Sequence, residues 1–247
     1  MTEQTPLKNN PEKIQAPVKM ESVTSQVSPW LTRLAYPLRF VVFPTYFGRI
    51  DITGQEHLPK HGPVILAPTH RSRWDSVMIP YATGRHVTGR DLRFMVSIDE
   101  IKGFQGWFIR RLGGFPVDPK NPGVSSFRHS VELLRQGEML VIFPEGNIFR
   151  DNVVHPLKPG IARIALQAQS KVEEDVHIVP ISLYYSQEEV GWGTDVNITI
   201  GKAIRVADYR NEPPKKATLK LTANLETALK TLDQETIPNE VFESVAA

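Results

Sequence analysis

The stretch Pro63-Val64-Ile65-Leu66-Ala67-Pro68-Thr69-His70-Arg71-Ser72-Arg73-Trp74-Asp75 changes character half-way along. Residues 63–69 form a short apolar run with the length of a buried strand. The polar half leads into residues 72–82, which read as a helix with Ser72 as a plausible N-cap. A strand passing into a helix within a few residues is the unit of an α/β sheet. His70 falls just past the strand's end, where open α/β sheets place their ligands.

The alternation continues downstream. Residues 92–96, 115–117, 139–143, 177–183 and 196–200 read as strands. Residues 104–112, 125–134, 160–169 and 217–232 read as helices, with Gly137 closing the second of them. This pattern predicts one α/β domain with a mostly parallel central sheet flanked by helices. Upstream, residues 1–27 are polar and aperiodic and read as a flexible tail. Residues 28–50 carry Trp30, Tyr36, Phe40, Phe43, Tyr46 and Phe47 among Arg33, Arg39 and Arg49. That mixture suits a helical segment lying in a lipid headgroup layer, and Pro37 and Pro44 are expected to break it into short helices. The domain proper is then residues 51–247.

The composition narrows the function classes. Charged residues are 23% and the net charge is +2, which gives no case for a nucleic-acid partner. With no cysteine in the chain, disulfides, thiolate metal sites and a cysteine nucleophile are excluded. The histidines form no ligand pattern with carboxylates, so no metal is expected. No apolar run reaches the length of a membrane span, and no secretory signal is visible. A cytoplasmic location is therefore expected.

Two constellations can carry chemistry. His70 and Asp75 are five apart, and in a continuous helix such residues point about 140° away from each other. They meet only if His70 precedes the helix and Asp75 lies in its first turn. Asp75 would then orient the imidazole and leave its other nitrogen free to take a proton. Alternatively, Ser72 and Asp75 form a capping box and Asp75 is structural. The second constellation is Phe143-Pro144-Glu145-Gly146-Asn147-Ile148-Phe149-Arg150. Arg150 can hold a phosphate through its planar fork. Glu145 can bond an acceptor hydroxyl or hold Arg150. Between the two lie Arg71, Arg73, Arg85, Arg90, Arg93, Lys102, Arg110, Arg111 and Lys120, which suggest a positive cleft or a solvated charged face. Lys158 and Gly160 are a further candidate anion contact.

These blocks resemble the glycerolipid acyltransferase family, which includes bacterial 1-acyl-sn-glycerol-3-phosphate acyltransferases. His70 to Asp75 matches the family's His-x4-Asp block, with Thr69 where the family usually has Asn. Gly113 to Lys120 matches a second block, with Pro119 at the usual arginine position and Lys120 one place on. Phe143 to Gly146 with Arg150 is the third, and Val179-Pro180-Ile181 the fourth. The resemblance implies acyl transfer from an acyl carrier protein or coenzyme A thioester to the free hydroxyl of lysophosphatidate. His70 and Asp75 would be catalytic, and Glu145, Gly146, Arg150 and Lys120 would bind substrate. It implies no cofactor beyond the acyl donor, and a peripheral or monotopic place on the cytoplasmic face of a membrane. Two rival expectations are the same fold acting on glycerol-3-phosphate or another lysolipid, and a noncatalytic membrane-binding protein.

Overall fold

The computed structural model describes residues 25–118 and 123–238. In chain order the elements are α1 Pro29–Tyr46, β1 Ile50–Thr53, β2 Val64–Pro68, α2 Asp75–Thr83, α3 Arg85–Thr88, β3 Leu92–Ser97, α4 Gly103–Arg111, β4 Gly114–Val117, α5 Val124–Arg135, β5 Met139–Val141, α6 Gly160–Gln169, β6 His177–Tyr185, β7 Val196–Ile200, β8 Ile204–Arg205 and α7 Pro214–Thr236. The strands form one sheet in the order β1-β7-β6-β2-β5-β3-β4, with β8 paired to β6. Strands β6, β2, β5, β3 and β4 run parallel; β7 and β8 lie antiparallel to β6, and β1 follows β7. The expected α/β domain with a mostly parallel sheet is therefore present. The two-residue β8 and the edge strand β1 are additions to the sequence reading.

β2 reads as an unbroken apolar run because both of its faces are covered. All five of its residues are buried. Ile65 and Ala67 point into one core, shared with Leu134 of α5, Ala165 of α6 and Leu221, Leu225 and Leu229 of α7. Val64 and Leu66 point into the other, shared with Met78 and Ile79 of α2 and with Phe43 and Phe47 at the end of α1. Period-two alternation thus divides one strand between two cores.

The N-terminal segment departs from expectation. Pro37 and Pro44 lie inside one helix of 18 residues rather than breaking it. Their missing N–H groups would have bonded the carbonyls of Arg33 and Phe40. Both of those residues are exposed, so water can satisfy the orphaned carbonyls. Helix α1 is also not detached from the body. Phe43 packs on Tyr81 of α2 at 5.2 Å between ring centroids, and Tyr46 on Trp74 at 4.9 Å. The expected boundary after residue 50 falls inside β1. The expected tail lies outside the described residues up to residue 24, while Val27 forms an isolated bridge with Leu112. Among the described residues, no helix is long and apolar enough to cross a membrane.

The C-terminal helix is held by its buried Leu221, Leu225 and Leu229 stripe. Leu225 is fully buried. Leu225→Ala should lower unfolding free energy by about 2–5 kcal/mol, the range for a truncated core leucine. Urea denaturation followed by circular dichroism measures this, and a loss below about 1 kcal/mol would place α7 outside the cooperative core.

Candidate active site

The parallel pairing of β2 with β5 builds the site. Its register sets Val64 opposite Met139 and Leu66 opposite Val141, an offset of 75 residues. Ile142 still follows that line, donating its N–H to Leu66 O at 3.0 Å. The same offset carried past the strand ends puts His70 opposite Glu145. The contact is made: His70 N–H donates to Glu145 Oε2 at 2.8 Å. Thr69, fully buried, accepts the Leu183 N–H on its hydroxyl at 3.0 Å and so ties β2 to β6 on the other side.

The chain between β2 and α2 wraps one carboxylate. Asp75 is fully buried at the first position of α2, where the positive helix end favours an acid. Its Oδ2 accepts from His70 Nδ1 at 2.8 Å, Arg71 N–H at 2.7 Å and Ser72 N–H at 2.9 Å. Its Oδ1 accepts from the Tyr185 hydroxyl at 2.7 Å. These four donors match the lone-pair capacity of a carboxylate. Burial first, and the Asp75 charge next, push the Tyr185 phenol well above the ordinary tyrosine range, so it remains a donor. Helix α2 begins at Asp75 rather than at Ser72, which meets the condition that lets residues five apart touch. Only half of a capping box forms. The Ser72 hydroxyl accepts from Trp74 N–H at 3.3 Å, while the Asp75 N–H goes to the Ser72 carbonyl.

Since Asp75 accepts from Nδ1, the neutral imidazole carries its proton there and Nε2 is the acceptor. Nε2 has no hydrogen-bond partner among the described residues and is not enclosed. The Phe143 ring stacks on the imidazole at 3.9 Å and 20°, fixing its plane. The side chain is 18% exposed. This geometry presents a base to the carboxyl edge of the sheet.

The second constellation divides. Glu145 was expected to touch substrate or hold Arg150. Its side chain is instead fully buried and its oxygens face protein donors. Besides His70 N–H, it accepts from His155 N–H at 3.0 Å and from an Arg71 terminal nitrogen at 3.2 Å. Arg71 also donates to Asp233 of α7 at 3.0 Å, and the Ser182 hydroxyl of β6 bonds the other Asp233 oxygen. Burial raises the Asp233 pKa, with Arg71 and Ser182 opposing the rise.

Gly146 lies in the left-handed region at φ 72°, and a Cβ there would meet the Lys158 side chain at 2.7–3.0 Å. The glycine therefore gives room for Lys158 over the turn. Arg150 is exposed and has no ion-pair partner among the described residues. It follows Phe149, whose N–H donates to the His70 carbonyl at 2.8 Å, so its backbone is anchored beside the histidine. The loop is braced further by His155, stacked on Phe149 at 3.7 Å and bonded to Asp151 at 2.7 Å. Asp151 is raised by its partial burial, but the His155 and Val153 hydrogen bonds outweigh this and hold it low. Lys120 and Pro119 lie outside the described residues. Arg71, Asp233 and Tyr185 were missed as a group by sequence reasoning. One signal existed: Asp233 continues the i, i+4 series Ala217, Leu221, Leu225, Leu229, where a carboxylate implies a buried partner.

Arg71→Ala strands Glu145 and Asp233 without their cation. The expected loss is about 3–5 kcal/mol, as when a buried pair is broken from one side. Equilibrium urea unfolding checks it, and a change within about 0.5 kcal/mol, typical of a surface site, would contradict the buried network.

Residues 49–184 match the protein family described as Acyltransferase. The chain is 27% identical over 189 residues to a 1-acyl-sn-glycerol-3-phosphate acyltransferase of Bacillus subtilis, covering 76% of this chain and 90% of that protein. It is 29% identical over 177 residues to the protein of the same name from Streptococcus pneumoniae, covering 70% of this chain and 61% of that one. The crystal structure of the 1-acyl-sn-glycerophosphate (LPA) acyltransferase PlsC from Thermotoga maritima shares the fold. The TM-score is 0.59 at 20% identity, over 83% of this chain and 78% of that one. With more than half its length matched by the family and the His70–Asp75 pair assembled at the sheet edge, this chain belongs to the Acyltransferase family.

Proposed function

We propose that this enzyme transfers an acyl group from a thioester to the free hydroxyl of 1-acyl-sn-glycerol-3-phosphate, giving phosphatidate. The observation that carries the mechanism is the His70 imidazole, bonded through Nδ1 to buried Asp75 with Nε2 left open. Nε2 accepts the hydroxyl proton as the oxygen attacks the thioester carbonyl. The tetrahedral intermediate collapses with cleavage of the C–S bond, and the imidazolium returns the proton to the departing thiolate. The products are an ester and a free thiol, with no covalent enzyme intermediate. The step uses only His70, the acceptor and the thioester, so we expect no cofactor. The donor is an acyl carrier protein or coenzyme A thioester.

Support for a phosphorylated acceptor comes from two exposed cations, Arg150, whose neighbour Phe149 is anchored to the His70 carbonyl, and Lys158 over the Gly146 turn. The names of the bacterial relatives favour lysophosphatidate as that acceptor. Because the acceptor is a lipid, we infer a peripheral or monotopic protein on the cytoplasmic face of a membrane. Helix α1 supports this by exposing Trp30, Phe40, Val41 and Val42.

His70→Ala should lower kcat by ~10² or more with the fold intact. Transfer of a labelled acyl group to lysophosphatidate measures it, and an active variant would exclude His70 as the base. Arg150→Ala should raise KM for lysophosphatidate about tenfold while leaving kcat within a few-fold, as expected for lost uniform binding. The same assay run with glycerol-3-phosphate identifies the acceptor; preference for it would reject lysophosphatidate.

A further inference from the structure

Helix α4 has the surface of an element missing its partner. Of its nine residues only Gly106 is buried. That glycine sits against the backbone of Ile101, where a Cβ would come within 2.6 Å. The helix thus folds closely on the segment before it at Gly106, meets β4 where Ile109 lies against Gly114, and leaves its aromatics largely exposed. Phe104 is 80% exposed, Trp107 41% and Phe108 37%. The Phe104 and Trp107 rings lie nearly parallel, 5.8 Å apart, and the Arg111 guanidinium sits 5.3 Å from the centre of the Trp107 ring.

This surface continues into α1. Ser28 N–H donates to the Arg111 carbonyl at 2.8 Å, and exposed Trp30 follows two residues later. The crossovers from β2 to β3 and from β3 to β4 move across the sheet in the same direction. Right-handed connections then place α2 and α4 on the same face, the face on which α1 packs. Among the described residues, nine of the twelve exposed large apolar residues belong to α1, α2, α4 or Trp192, whose ring meets Tyr46. Scattered apolar residues need no explanation, but a contiguous patch marks an interaction site.

We propose that α4 is a second lipid-binding element, whose Phe104, Trp107 and Phe108 enter the headgroup layer of an anionic lipid surface beside α1. This rests on the reading that the enzyme works at a membrane. The charge pattern selects the occupant. Arg111, set over the Trp107 ring, has no ion-pair partner among the described residues, and the helix contains no acid. The acids of the preceding turn are balanced by cations, Asp99 by Lys102 and Glu100 by Arg73, which leaves the charge of Arg111 unopposed beside the rings. Aromatic rings between cations suit the boundary between acyl chains and anionic headgroups.

The test measures cosedimentation with vesicles of phosphatidylglycerol and phosphatidylcholine, and with phosphatidylcholine alone. Phe104→Ser/Trp107→Ser/Phe108→Ser should weaken partitioning onto the anionic vesicles by about tenfold or more. Its turnover of a water-soluble short-chain lysophosphatidate should stay within twofold of wild type. Wild-type partitioning in this variant, with loss in Phe40→Ser/Val41→Ser, overturns the role of α4 and leaves the membrane reading standing. A wild-type protein that binds neither vesicle overturns both. A variant that instead changes oligomeric state while still binding vesicles assigns the patch to a second copy and overturns the proposal. A second measurement is independent of these foldings. Because the chain has no cysteine, Phe104→Cys gives one attachment site for an environment-sensitive dye. Its emission should shift to the blue with anionic vesicles, while the same dye at Leu219→Cys on α7 should not; no shift at position 104 overturns the proposal.

Discussion

The guanidinium of Arg71 is almost wholly withdrawn from water, with its side chain 2% exposed. An arginine cannot shed its charge to suit such a place, so the charge must be met by carboxylates. Glu145 comes from the turn after β5 and Asp233 from the end of α7, separated from Arg71 by 74 and 162 positions. Burying three charges is a poor route to stability, since the desolvation of each offsets much of the attraction. What the network supplies is placement. It holds the end of β2, the turn after β5 and the C-terminal helix in one relative position. Glu145 then has a second oxygen to offer the His70 N–H.

Two carboxylates therefore act on one histidine from different sides. Glu145 holds its backbone, and Asp75 holds its ring. Asp75 in turn is fixed by two backbone N–H groups and by Tyr185 at the far end of β6. A base is useful only if its orientation survives thermal motion, and a loose shell of partners can cost an ångström of placement. Here the ring is further confined by the stacked Phe143. Nε2 is the ring nitrogen left without a hydrogen-bond partner among the described residues.

Much of the fold was legible because the central strands β2, β5 and β6 are buried almost throughout and read as apolar runs in a polar chain. The His70–Asp75 geometry was legible for a local reason: a spacing of five forbids the pair inside a helix and demands it at a helix start. Nothing local marks Arg71 apart from its basic neighbours, because its partners are brought by sheet order and by a helix 162 residues on. The burial of Glu145 was hidden for the same reason, since a turn acid beside a glycine carries no sign of it. The prolines of α1 misled in the other direction. Their local preference to break a helix is overridden where one side packs on α2 and the other is wet enough to solvate the freed carbonyls.

The site edge thus carries cations of two kinds. Arg71 is paired with two carboxylates within the protein, and its remaining Nε–H, without a partner among the described residues, is buried away from the surface. Arg150 and Lys158 are exposed and without ion pairs among the described residues, so water solvates them. An anion that binds there must displace that water, and the attraction is partly screened by salt. Exposed cations therefore gain little until the same phosphate is held by several of them at once. The anchoring of Phe149 to the His70 carbonyl brings Arg150 to that edge, and the left-handed turn at Gly146 leaves space there for Lys158. The backbone of His70 thus ties the Arg150 loop, through Phe149, and the buried Glu145 to the strand end that carries the imidazole.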